Sequence, residues 1–227
     1  MIDPLHGSSW SSPATVAGFE QSAPNATLLR FAAEERGRGA RRALDLGCGA
    51  GRNAVPLANL GWTVIGLDLS APMLHAAARR ARAECPGESV NLVMAPMERL
   101  PIASASVDFV IGHGIWNLAR STAQFRAALR EAARVARPGA GLFVFTFSRS
   151  TLPEGLEPVA GERFVFTEFS GEPQCFLTGG QLIEELCEAG FVPDHAVPLT
   201  EHNLPRPGTL RAAGPPVIYE GSFRRVG

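Results

Sequence analysis

From residue 42 to residue 147 the chain alternates short apolar runs with stretches of helical periodicity, and this rhythm constrains its fold more than any other feature. The apolar runs fall at 42–46, 62–67, 90–94, 107–112 and 141–147. They are nearly continuous rather than alternating, as expected of strands covered on both faces. Helical stretches occupy 52–60, 70–84 and 122–136. Their punctuation agrees with that reading. Gly61 offers a C-cap, Ser70 with Pro72 opens the second helix, which stops before Pro86-Gly87, and Pro138-Gly139 stops the third. Strands and helices in this order predict a parallel, doubly wound α/β sheet with helices on both faces.

The flanks are less regular. Residues 1–39 read as a polar arm followed by two helices split at Pro24, because proline removes an intrahelical donor. After Ser148 the rhythm breaks. Residues 148–178 are rich in Gly, Pro and Glu yet hold Phe164, Phe166, Phe169 and Phe176, which suggests a lid over an apolar pocket or a dimer surface. A helix at 180–189, a strand at 191–198, a Pro/Gly stretch and a last strand at 217–223 follow. The expectation is a single domain over 1–227, comprising the arm and helices (1–39), a cofactor-binding core (40–147) and a lid with the completion of the sheet (148–227).

Composition narrows the function. The net charge of −1 removes a general electrostatic case for nucleic acid. All 21 basic residues are arginine, which excludes a lysine Schiff base. Cys48, Cys85, Cys175 and Cys187 lack paired C-x-x-C spacing, so no structural metal site is expected and the thiols read as reduced. There is no signal-peptide pattern and no apolar run long enough to span a bilayer, so a cytoplasmic chain without membrane partners is expected.

In an open α/β sheet, ligands bind beyond the carboxyl ends of the strands. Gly47-Cys48-Gly49-Ala50-Gly51 occupies that place after the first strand. Its glycines permit a tight turn and close approach, and the following helix presents free N–H groups to a carboxylate or phosphate. The pattern departs from the dinucleotide G-x-G-x-x-G, because the third glycine comes one residue early and Arg52 stands in its place. Asp45 precedes the loop, where a carboxylate can accept from an ammonium group or orient the turn. Asp68 closes the second strand roughly 20 residues after Gly47, the spacing of a ribose-binding acid. Asp68 supports an adenosine ligand without choosing between S-adenosylmethionine and a nicotinamide dinucleotide.

Taken in order, Leu44-Asp45-Leu46-Gly47-Cys48-Gly49-Ala50-Gly51, Gly66-Leu67-Asp68-Leu69-Ser70 with Met73-Leu74, Leu100-Pro101, Ser106-Val107-Asp108-Phe109-Val110 and Arg137-Pro138-Gly139 resemble the successive motifs of class I S-adenosylmethionine-dependent methyltransferases. The resemblance implies a Rossmann-like seven-stranded sheet with an antiparallel last strand. It places Asp45, Gly47 and Gly49 along the methionine part of the cofactor, with Cys48, Gly51 and Asn53 also in the cofactor site, and Asp68 on the ribose hydroxyls. Leu69, Met73, Pro96, Met97 and Glu98 fall to the adenine, and Gly112 and His113 to the region of the transferred methyl. Many relatives carry an Asp where this chain has Pro96, which leaves adenine recognition to backbone groups near Met97 or to Glu98. The short run Gly51-Arg52-Asn53-Ala54 is similar to tellurite-resistance and thiol methyltransferases.

Methyl transfer from a sulfonium needs alignment and exclusion of water, and needs a base only when the acceptor is protonated. His113 is the candidate base, with packing or cofactor contact as its other reading. Trp116 and Asn117 would form an acceptor wall and a polar anchor, though core packing of Trp116 serves equally. His6 and Trp10 belong to the arm expected to close over the cofactor. His202-Asn203 reads as a surface loop and His195 as an exposed strand residue. The expected activity is methylation of a small-molecule acceptor by a monomer or homodimer. A thiol or chalcogen methyltransferase, a non-catalytic adenosylmethionine-binding module and an NAD-dependent oxidoreductase remain as alternatives.

Overall fold

The computed structural model describes residues 3–85, 87–204 and 215–227. Within them the alternating segment folds into the parallel heart of an eight-stranded mixed sheet. Its strands are β1 (Arg42–Leu46), β2 (Thr63–Asp68), β3 (Val90–Met94), β4 (Val107–His113) and β5 (Ala136–Phe147). Three C-terminal strands complete it: β8 (Phe191–Pro193), β9 (Thr200–His202) and β10 (Ile218–Arg225), while β6 (Val165–Phe166) and β7 (Gln174–Cys175) form a separate hairpin. The main path runs β3-β2-β1-β4-β5-β10-β8, with β9 added beside β10. β10 pairs antiparallel with β5, β8 and β9. The expected seven-stranded sheet is thus the main path, and β9 is the extra strand.

Among the described residues six α-helices accompany the sheet: α1 (Pro13–Gln21), α2 (Ala26–Gly37), α3 (Ala54–Asn59), α4 (Ala71–Glu84), α5 (Thr122–Val135) and α6 (Gly179–Glu188). Alternate side chains of each strand feed two cores. Leu44, Leu46, Val110, Leu142 and Val144 pack with Phe125 and Leu129 of α5 and Leu182 of α6. Ala43, Val64, Phe109, Ile111 and Phe143 pack with Leu28 and Phe31 of α2, Leu57 of α3 and Trp62. Both faces are therefore buried, which is why the strand sequences read as unbroken apolar runs. No helix among the described residues is long and apolar enough to cross a membrane.

Several boundaries differ from those expected. Pro24 does split α1 from α2, and Asn25 caps the second through a bond from Leu28 N–H to its Oδ1, at 2.9 Å. Pro138-Gly139 lies inside β5 rather than between helix and strand, because β5 starts at Ala136 and shifts register against β4 between Val107 and Phe109. The run 191–198 is strand only over Phe191–Pro193, and the next strand begins beyond it at Thr200. Pro193 and Pro198 cannot donate to a ladder, and Asp194 Oδ1 accepts from Ala196 N–H to turn the chain. His195 is therefore an exposed turn residue, and His202 ends β9 instead of lying in a loop. The expected helix stop at Pro86 and most of the Pro/Gly stretch before the last strand lie outside the described residues.

Candidate active site

The order reverses between β1 and β4, since β2 and β3 extend one side and β4 and β5 the other. Such a switch point leaves a crevice at the carboxyl ends of the strands. Here it opens into a cavity of about 910 Å³. Gly47 and Gly49 from the loop after β1, Asp68 and Leu69 after β2, Met97 and Glu98 after β3, and His113 after β4 all line it. Met73 joins from the first turn of α4, whose start is fixed by Ser70 Oγ accepting from Met73 N–H at 3.4 Å.

Two glycines shape the floor. Gly47 has φ +66°, and a Cβ there would stand 2.8 Å from Ile115 Cδ1. Gly49 has φ +53°, with Phe19 3.2 Å from a Cβ built on it. No side chain fits either place without displacing a cavity wall. Gly49 N–H donates to Asp68 Oδ2 at 2.9 Å and Ser70 N–H donates to Oδ1 at 2.8 Å. The carboxylate is held rigid by two backbone donors and keeps lone pairs for a ligand. Burial still raises its pKa above the usual range.

Behind the loop, Asp45 is buried, and its Oδ2 has no hydrogen-bond partner among the described residues. Burial pushes its pKa up to about 7, while the charge of Arg52 opposes the rise. An unpartnered buried carboxyl oxygen is costly unless a donor reaches it.

His113 stacks on Phe145 with ring centroids 4.1 Å apart. Arg52 Nη2 lies 2.8 Å from its Nδ1 and 3.3 Å from Nε2, and Asn25 Nδ2 lies 3.3 Å from Nε2. The Asn25 amide is oriented by its other bonds, since Oδ1 takes the helix cap and Nδ2 donates to Glu220 Oε1 at 2.7 Å. Both imidazole nitrogens thus face donors that cannot accept, which opposes a second proton. Burial first, and the Arg52 charge second, lower the His113 pKa to about 3. The general-base role expected from its position does not suit such an imidazole, because it holds a proton too weakly near neutral pH.

Residues 43–139 match the methyltransferase-domain family. The chain is 35% identical over 153 residues to the ubiquinone/menaquinone biosynthesis C-methyltransferase of Syntrophotalea carbinolica, covering 60% of this chain and 62% of the relative. It is 30% identical over 124 residues to the ubiquinone biosynthesis O-methyltransferase of Rhizobium etli, covering 55% and 48%. The chain therefore spans less than two thirds of either relative. The solved 1,6-didemethyltoxoflavin-N1-methyltransferase of Burkholderia thailandensis, with bound S-adenosylhomocysteine, superposes with a TM-score of 0.64 at 22% identity over 89% of this chain and 79% of that one. Over residues 43–139 the chain is thus similar to S-adenosylmethionine-dependent methyltransferases. The relatives named here are quinone methyltransferases, and the similarity of Gly51-Arg52-Asn53-Ala54 to the tellurite-resistance group finds no support among them.

The residues of the crevice fit an adenosylmethionine ligand: the two glycines a Cβ would block and the fixed Asp68 carboxylate line it, and the orphaned Asp45 oxygen lies buried behind the loop. Other expected site residues are placed elsewhere. Trp116 is fully buried, and its indole fills the space over Gly112, where a Cβ would meet ring carbons at 3.1 Å. Asn117 is buried too, and neither lines the cavity. The acceptor wall and anchor expected of them are therefore corrected: the turn after β4 points them into the core. Cys48 packs over Gly66, Gly51 packs on Val55 and Ala77, and Asn53 Oδ1 accepts from Asn25 N–H at 3.1 Å. These three hold the loop from behind, and Pro96 stands outside the lining.

The lid also changes character. Phe164, Phe166 and Phe176 are buried, the first against Phe125 and the others around Phe147. Their rings anchor the β6–β7 hairpin, and its polar residues Ser170, Glu172 and Gln174 reach the cavity instead. Of the arm, Trp10 reaches the cavity and His6 does not. Arg52, Phe19, Ile115 and Phe145 line it without having been assigned there. The signal for Arg52 was its place directly after the loop, whereas only tertiary packing brings Phe19 and Phe145 to it.

Proposed function

We propose that this chain binds S-adenosylmethionine in the crevice and transfers its methyl group to a small-molecule acceptor. The observation that carries the reading is Asp68, pinned at the end of β2 by Gly49 and Ser70 N–H groups and open to the cavity beside Gly47 and Gly49. Its remaining lone pairs suit two ribose hydroxyls. Leu69, Met73 and Met97 offer apolar surface to an adenine, with Glu98 at its edge. The free Asp45 oxygen and the loop amides suit the amino-acid end. When bound, S-adenosylmethionine supplies a methyl group already activated on a sulfonium sulfur. The chain's own task is to align the acceptor and exclude water, and the arm residues Leu5 and Trp10 over the cavity serve the second purpose. One domain of 1–227 performs both tasks in this reading.

The acceptor end is bounded by Phe145, Phe19, Arg52 and the 170–174 segment. It suits a compact, partly apolar molecule, in keeping with relatives named for quinone methylation. Calorimetric titration with S-adenosylmethionine, S-adenosylhomocysteine and NAD tests the cofactor, and binding of NAD alone overturns the reading. Asp68→Ala is expected to weaken S-adenosylhomocysteine by about 10-fold or more, the size of a lost charge-assisted bond. Release of S-adenosylhomocysteine with a panel beginning with quinols and small phenols then identifies the acceptor.

A further inference from the structure

Arg52 is a cation in the cavity that no carboxylate neutralises. It is half-buried, lines the crevice, and forms no ion pair among the described residues. The other arginine of the lining, Arg120, pairs with Glu172 at 2.7 Å on the exposed rim. The hydrogen bonds of the Arg52 guanidinium go to a neutral imidazole, and the ring of Phe19 lies 5.9 Å from it. Burial lowers the Arg52 pKa, and the charge that counters this is Asp45, whose own pKa burial pushes up to about 7.

The remaining carboxylates of the described lining are already engaged. Asp68 accepts from two backbone N–H groups and Glu98 accepts from Gln124 Nε2 at 3.2 Å, while Glu172 holds Arg120. A desolvated guanidinium without a counter-charge favours an anionic ligand, and its planar fork matches an oxyanion better than a point charge would.

We propose that Arg52 is the anion-binding residue at the acceptor end of this cavity, receiving the oxyanion of an ionised acceptor. The proposal rests on the methyltransferase reading and deepens it. The acceptor oxygen, arriving without its proton, forms the new bond to carbon. The sulfur–carbon bond breaks, its electron pair stays on sulfur, and the two opposite charges cancel. No proton has to reach His113, which accords with an imidazole surrounded by donors.

The test titrates wild type, Arg52→Gln and Arg52→Lys with S-adenosylhomocysteine and with 5′-methylthioadenosine, which lacks the carboxylate. The same three proteins, saturated with S-adenosylhomocysteine, are then titrated with 4-nitrophenol, and the phenolate absorbance is followed against pH. A loss of at least about tenfold for 4-nitrophenolate in Arg52→Gln supports the proposal. A loss for S-adenosylhomocysteine but not for 5′-methylthioadenosine, with 4-nitrophenolate unchanged, makes Arg52 a cofactor residue and overturns it. Arg52→Lys, which keeps the charge and loses the fork, is expected to fall between.

Unchanged affinity for 4-nitrophenolate overturns the proposal. If Arg52→Gln does not fold, wild type alone decides: 4-nitrophenol must bind at least about tenfold tighter when ionised, while the neutral ether 4-nitroanisole binds independently of pH. Equal binding of the two overturns it. Failure of wild type to bind S-adenosylhomocysteine removes the methyltransferase reading instead, and 4-nitrophenol on the unliganded protein then decides for Arg52.

Discussion

Asp45 and His113 stand on neighbouring strands and are both driven toward their neutral forms, so they tilt stability with pH in opposite senses. Asp45 has a folded pKa of about 7, above the unfolded value of roughly 4. The native state binds its proton more tightly. Its contribution is complete below the unfolded value and is lost as pH rises through 7. His113 has a folded pKa of about 3 against roughly 6.5 unfolded. Its contribution is complete above the unfolded value and is lost as pH falls toward 3. Between about pH 4 and 6.5 the two slopes offset each other in the wild type. Asp45→Asn should therefore acquire a stability that rises with pH over this window. His113→Gln should acquire one that falls, each by a few kcal/mol on the order of the shifts. Urea unfolding across pH measures both, and parallel curves for all three proteins would refute the assignment.

At the scale of the element, Asn25 does four jobs at one helix start. Its Oδ1 caps α2, its N–H binds Asn53 behind the glycine loop, and its Nδ2 contacts Glu220 of β10 and His113 of β4. Asn25→Ala should cost about 1–2 kcal/mol of stability from the cap alone, read by thermal unfolding. Asn25→Asp keeps the cap oxygen but sets a carboxylate against Glu220, so its loss should shrink at low pH. The loop after β1 is the second such element. Gly47→Ala must hold φ near +66° and push Ile115, so it should cost about 1–3 kcal/mol and weaken S-adenosylhomocysteine together. Retained affinity in a folded Gly47→Ala protein would separate the loop from the ligand. These elements were legible unevenly. The Ser70 cap, the Pro24 break and Gly61 announced themselves through side-chain and backbone chemistry. The interruption between β8 and β9 and the early start of β5 depended on which neighbour each segment pairs with.

Across the whole molecule, the N-terminal helices are tied to the end of the chain by buried charge. Arg224 of β10 grips both oxygens of Glu35 on α2, at 2.6 and 2.8 Å, and also binds Asp194 after β8. Glu35 is almost fully buried, and these contacts raise the Arg224 pKa. Glu35→Ala leaves a partly buried guanidinium short of one partner and should destabilise by about 3 kcal/mol. Glu35→Gln, which keeps an acceptor, should cost less. Equal, negligible costs in chemical denaturation would show that the network is incidental.

The sequence by itself determined the sheet and the place of the site. Hydrophobic periodicity is a local property of the backbone pattern, and the glycine loop with Asp45 and Asp68 marks the strand ends where such a sheet must open. Tertiary structure alone decided which side chains meet there. Trp116 and Asn117 turn inward because the Gly112 position leaves room for an indole. Phe164, Phe166 and Phe176 enter the cores, Phe169 stays exposed, and their polar neighbours reach the rim. Arg52 and Phe19, with Phe145 and the proton-poor His113, converge from four separate parts of the chain. Burial and opposing charge are properties of that convergence, so the character of His113 emerges only once the chain is folded.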